Sequence, residues 1–194
     1  MPRAKRLLYD KAIFHIVQRG HNKDRIFKTD NDYIAFKETI RKYKKKFAFS
    51  LYHYCLMPNH IHMLIQVEKG DELPKIIQGI TQTYSYYYRK KYTCSGYVYQ
   101  NRYKSFHIES DSYLLECGRY IERNPLRACI VRNISDYIWS SYNFYANGDF
   151  DDIITENPLY AELGKTPQER KASYQRYILE TRPYEKLIDK VIVG

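Results

Sequence analysis

From position 11 the chain alternates in the manner of a strand. In KAIFHIVQR (residues 11–19), Ile13, His15 and Val17 fall on one side and Phe14, Ile16 and Gln18 on the other, until Gly20-His21-Asn22 interrupts the pattern. Thr29 and Asp32 then have the spacing of a capping box, and Tyr33, Phe36, Ile40 and Tyr43 recur at helical intervals. The other side of this helix carries Lys37, Arg41, Lys44 and Lys45, which reads as a solvated face or a phosphate-binding one. Two further strand-like runs, FAFSLYHYCLM (47–57) and HIHMLIQV (60–67), are separated by Pro58-Asn59, a pair suited to a tight turn. Leu73, Ile77, Ile80, Tyr84 and Tyr87 predict a second helix that stops within 93–96. YKSFHIE (103–109) predicts a fourth strand, and Ser110-Asp111 a cap for a third helix ending at Asn124-Pro125.

The order β-α-β-β-α-β is the split βαβ, ferredoxin-like arrangement, so the predicted class is α+β: an antiparallel sheet with two helices on one face and its other face open, followed by one more helix. Beyond Trp139 the periodicity weakens. Residues 147–156 (NGDFDDIITE) are acidic and loop-like, and 168–180 (QERKASYQRYILE) predict a helix.

Composition points to a class of partner only when read with charge. The 194 residues are 44% hydrophobic and 28% charged, which fits one globular unit and argues against disorder. The unusual features are a net charge of +10, a pI of 9.3 and 22 tyrosines. Cations facing phosphates and flat rings facing unpaired bases are the means of single-strand nucleic-acid binding, although basic domains are also often just soluble. Cys55, Cys94, Cys117 and Cys129 form no CxxC pair, and MPRAKRLLYDKAIFH has no apolar run of the signal-peptide kind; both fit reduced thiols in a cytoplasmic setting. No stretch has the apolar length of a membrane span.

The sharpest local chemistry is His60-Ile61-His62. Alternation on a strand sends both imidazoles to one face, where a pair can bind a divalent metal, while Ile61, Met63, Ile65 and Val67 face the core. An HxH pair alone is also compatible with ordinary strand histidines beside a turn. In the third helix Leu114, Cys117 and Ile121 make a core stripe, and Tyr120 and Asn124 project together one turn apart on the neighbouring stripe. The Asn124 carboxamide oxygen could then serve as a third ligand with the Tyr120 phenol beside it; plain packing is the competing account of Tyr120.

LMPNHIHMLI (56–65), GYVYQNRYKSFHIESDSYLLECGRYIERNPLRA (96–128) and WSSY (139–142), in that order, resemble the HUH single-tyrosine transposases and, within them, the REP-associated branch. The resemblance runs from about Phe14 to Tyr142. It implies that His60 and His62 are the paired metal ligands, that Tyr120 is the nucleophile, and that Asn124 completes the site. It implies a Mg2+- or Mn2+-dependent enzyme that nicks and rejoins single-stranded or hairpin DNA through a 5′-phosphotyrosine, acting as a monomer or homodimer away from membranes. Residues 1–145 would form the catalytic domain, and 146–194 a partly helical C-terminal extension. Candidates for phosphate contact are Arg89, Lys90, Lys91, Arg102, Lys104, Arg123 and Arg127, with Tyr97, Tyr99 and Tyr103 as candidates for base stacking.

Two other classes compete. A non-catalytic binding module would use an open sheet face as RRM domains do, but the aromatic- and glycine-containing RNP pattern is not visible. A metallohydrolase built on His60 and His62 would need a further ligand and a base, with His107 or Glu109 available.

Overall fold

The computed structural model describes residues 9–180. Four strands, β1 (Ile13–Arg19), β2 (Phe49–Met57), β3 (His60–Val67) and β4 (Lys104–Ile108), form one antiparallel sheet in the order β2-β3-β1-β4. This is the split βαβ arrangement predicted above. Helices α1 (Asp30–Lys46) and α2 (Leu73–Tyr92) pack together on one face. Phe14, Ile16, Ile61, Met63 and Ile65 are buried there against Phe36, Ile40, Ile77, Ile80 and Tyr84. Gly79 permits the close approach of α1 and α2: a Cβ at this position would come within 2.1 Å of the Tyr43 ring.

Thr29 and Asp32 cap α1 as their spacing predicts, Asp32 accepting from the Thr29 amide at 2.9 Å. The same carboxylate, fully buried, also accepts from Lys28 N–H, Lys91 and Tyr92, so one cap residue fastens α1 to the end of α2. Burial alone would raise the Asp32 pKa; these donors outweigh it and hold the group at about 2.

The other sheet face is not open. Helix α3 (Asp111–Arg127) lies across it, burying Leu114, Cys117, Tyr120 and Ile121 against Val17, Cys55, Met57 and Leu64. At Gly118 the helix backbone lies so close to β2 that a Cβ would meet the His53 ring at 2.8 Å. An RRM-like exposed sheet is thereby excluded. The helix also runs past its predicted end: Pro125 lies inside α3 rather than after it. The carbonyl of Ile121, which the missing Pro125 N–H cannot reach, accepts instead from Asn124 Nδ2 at 3.1 Å.

After α3 the chain returns along the free edge of β2, with Leu56 N–H donating to Trp139, Ser141 N–H to Tyr54, and Thr155 N–H to Leu51. The WSSY run therefore closes a sheet edge. The acidic stretch that follows docks on the basic side of α1, Lys37 pairing with Asp151 at 3.0 Å, Arg41 with Asp152, and Lys44 donating to the Ile153 carbonyl at 2.8 Å. Three of the four basic residues of that face are thus engaged within the fold, and Lys45 is exposed. Helices α4 (Tyr142–Asn147) and α5 (Pro167–Leu179) complete a third buried cluster around Tyr145, Tyr160 and Tyr174. The division expected at 145/146 falls within α4.

Among the described residues no helix is long and apolar enough to cross a membrane.

Candidate active site: a histidine pair under the tyrosine helix

Strand register places the histidines. His60 lies between Met57 and Arg19, and His62 between Cys55 and Val17, all on the face covered by α3. The two rings are 4.9 Å apart between centroids and nearly perpendicular, at 83°. His62 is buried, and His60 sits half-buried at the β2–β3 turn.

Hydrogen bonding fixes the free nitrogen of His60. Asn59 Nδ2 donates to the Lys23 carbonyl at 3.1 Å, so Asn59 Oδ1 is the atom that meets His60 Nδ1 at 2.6 Å. A carboxamide oxygen can only accept, so His60 carries its proton on Nδ1 and keeps a lone pair on Nε2. His62 Nδ1 is engaged with His15 Nε2 at 3.0 Å. Burial, with a smaller effect from the Arg19 cation, lowers the His60 pKa to about 4. Burial also drives His62 well below its ordinary value, with His60, His15, Arg19 and Arg127 adding to the effect. Both rings are thus neutral near pH 7, the form that binds a metal.

Tyr120 comes to this pair from the same chain. Its ring stands edge-on to His62 at 5.8 Å and to His15 at 5.9 Å, and the Arg127 guanidinium lies 5.1 Å from its centroid. The side chain is only 3% exposed. Asn124 lies one turn on, and its Nδ2 donates to the carbonyls of Tyr120 and Ile121 at 2.9 and 3.1 Å. Both partners are acceptors, so the NH2 end is fixed towards the helix and Oδ1 retains its capacity to bind elsewhere.

Among the described residues no three His, Cys, Asp or Glu side chains converge as a ready ligand set. Two neutral imidazoles and a carboxamide oxygen nevertheless suit a divalent ion that takes its remaining ligands from substrate or water. His107 does not join them. It lies on the opposite face, its ring 5.5 Å from both Phe14 and Tyr9, and Glu109, 84% exposed, lies beside it at 3.6 Å, so neither group offered to the metallohydrolase alternative joins the pair.

The basic candidates separate into groups. Arg127 adjoins Tyr120, and Lys104 is on the site face of β4, opposite Val17 and thus two strands from His62. Arg102 is exposed just before β4. Arg89, Lys90 and Lys91 occupy the last turn of α2; Arg89 reaches the Gly96 carbonyl at 3.5 Å and Lys91 pairs with Asp32 at 2.6 Å. Arg123 is buried and donates to the Ile178 carbonyl at 2.8 Å, facing α5 instead of the histidines. Of the three tyrosines, Tyr97 is 85% exposed, whereas Tyr103 is buried and the Tyr99 hydroxyl is enclosed.

Two site neighbours, His15 and Arg19, were not singled out in the sequence. Their alternation with Val17 put them on one face, but only the β1–β3 pairing shows that this face is the one bearing His60 and His62.

The family described as "Transposase IS200 like" matches residues 9–124. A Haemophilus influenzae protein named as a REP-associated tyrosine transposase is 26% identical over 147 residues, covering 67% of this chain and 78% of its own. The solved structure of a REP-associated tyrosine transposase bound to a REP hairpin superposes with a TM-score of 0.65 at 16% identity, covering 81% of this chain and 93% of that one, and so shares the fold. The match extends from β1 through the helix that sets Tyr120 beside His62 and carries Asn124 one turn on, and the chain belongs to the IS200-like transposase family.

Proposed function

We propose that this protein nicks and rejoins single-stranded DNA, with Tyr120 as nucleophile and hairpin-forming repeat DNA as substrate. The observation that carries the proposal is the meeting of Tyr120 with His62, ring centroids 5.8 Å apart, within one chain. The hairpin substrate is drawn from the similarity to a transposase solved with a REP hairpin.

His60 and His62 would hold Mg2+ or Mn2+ through Nε2, with Asn124 Oδ1 as a further ligand. When bound, such an ion orients the scissile phosphate and offsets the charge that develops on its oxygens. The Tyr120 oxygen attacks phosphorus and gives up its proton. The bond to the 3′-oxygen breaks, that oxygen takes up a proton, and a 5′-phosphotyrosine ester remains. A 3′-hydroxyl attacking the same phosphorus reverses the step and joins a strand without any nucleotide cofactor. Arg127, beside the tyrosine ring, and Lys104, on the same sheet face, would hold the approaching backbone.

The test is incubation with labelled single-stranded hairpins from the flanks of the gene, with and without Mg2+ or Mn2+. The expected product is a metal-dependent covalent protein–DNA adduct on a denaturing gel. His60→Ala and His62→Ala should each lower its yield by on the order of a hundredfold. A non-catalytic binder would retard the DNA but form no adduct.

A further inference from the structure

We infer that His15 is a positioning residue for the histidine pair: its Nε2 accepts the Nδ1 proton of His62 and thereby leaves the Nε2 lone pair of His62 for a divalent cation. The inference rests on the reading of His60 and His62 as metal ligands.

The contact is diagonal across two antiparallel strands. His15 is directly opposite Leu64, and His62 is two residues before Leu64 on the same face, a separation that long or aromatic side chains can bridge. The rings lie 5.2 Å apart between centroids, and His15 Nε2 is 3.0 Å from His62 Nδ1. One of these nitrogens donates and the other accepts. If His15 donated, a neutral His62 would carry its own proton on Nε2 and have no lone pair there. If His62 donates, its Nε2 is open.

The second arrangement matches what Asn59 imposes on His60. Each ring then gives its Nδ1 proton to an acceptor behind it, and both offer the same nitrogen in front. Acceptors of this kind fix the orientation of metal-bound imidazoles and increase their basicity. His15 is otherwise an expensive choice for its position. It is 2% exposed, faces Leu64 and Phe106 across the sheet and has the Tyr120 ring edge-on from α3, surroundings in which an apolar residue would pack without needing a polar partner.

Calorimetric Mn2+ titration of the wild-type protein, His15→Leu, His15→Gln and His60→Ala tests the inference. His15→Leu should weaken Mn2+ binding about 10- to 100-fold, the usual effect of losing such a partner. His15→Gln, whose side-chain oxygen can accept the same proton, should recover most of the affinity. Nitrogen-15 NMR of metal-free wild-type imidazoles supplies a readout that depends on no variant folding: His62 protonated on Nδ1, His15 unprotonated on Nε2. A proton on His62 Nε2 overturns the inference, as does a folded His15→Leu with unchanged affinity or a His15→Gln as weak as His15→Leu. Weakened binding in His60→Ala alone would keep the ligand reading and discard His15; wild-type protein that binds no Mn2+ would discard the ligand reading itself.

Discussion

The hydroxyl of Tyr174 on α5 donates to the Glu122 carboxylate on α3 at 2.7 Å, so the tyrosine helix is fastened from behind by the C-terminal segment. Glu122 is fully buried, and it also meets Ser141 Oγ at 2.5 Å and His53 Nδ1 at 2.9 Å. Asn157 fixes the direction of the last bond. Its Oδ1 accepts from the Leu159 amide, so its Nδ2 is the end that donates to His53 Nε2, leaving Nδ1 to donate to Glu122.

Tyr174→Phe removes one of the three donors around a carboxylate that water cannot reach. A stability loss of about 1 to 3 kcal/mol is expected in urea denaturation. Equal midpoints for mutant and wild type would show that the network does not hold α3.

Tyr120→Phe retains the ring and its packing but lacks the oxygen proposed to attack. Adduct formation should drop by on the order of a thousandfold or more while hairpin binding persists, as read by gel shift beside the denaturing gel. Tyr113→Phe is the control, since Tyr113 is exposed at the first turn of α3. An adduct that survives the Tyr120 change but disappears with Tyr113 would move the nucleophile.

Asn124→Asp separates two roles of one side chain. The carboxylate still offers an oxygen to a cation but cannot donate to the carbonyls of Tyr120 and Ile121. The variant should lose about 1 to 3 kcal/mol in metal-free thermal melts. It should also gain more stabilisation from added Mn2+ than wild type does. An identical Mn2+ response in the two proteins would remove Asn124 from the ligand set.

Asp32 gives the fold a defined acid limit. Its pKa is depressed from 3.8 to about 2 in the folded protein, so its contribution is complete above 3.8 and is lost as pH falls through about 2. Asp32→Asn should cost about 2 kcal/mol at neutral pH and flatten the stability profile across that acid window. Parallel acid-denaturation curves for mutant and wild type would refute this.

The sheet was readable from sequence because its strands announce themselves by alternation and turns. His60–Val67 begins and ends where HIHMLIQV does. Thr29/Asp32 and Ser110 marked helix starts for equally local reasons, their side chains bonding to amides a few residues away. Pro125 misled because a neighbouring side chain replaced the bond that proline removes. The open sheet face and the free basic side of α1 were misread for a different reason: what covers them, α3 and residues 151–153, arrives from distant sequence. The same limit hid His15, whose role depends on register between strands nearly fifty residues apart.

Tyr120 and His62 face each other inside one polypeptide, and this has a consequence for how the reaction should scale. With the proposed nucleophile and the proposed ligand on one chain, adduct yield per molecule should hold steady on serial dilution once DNA is saturating, whereas a yield that falls with dilution would show that two copies must meet.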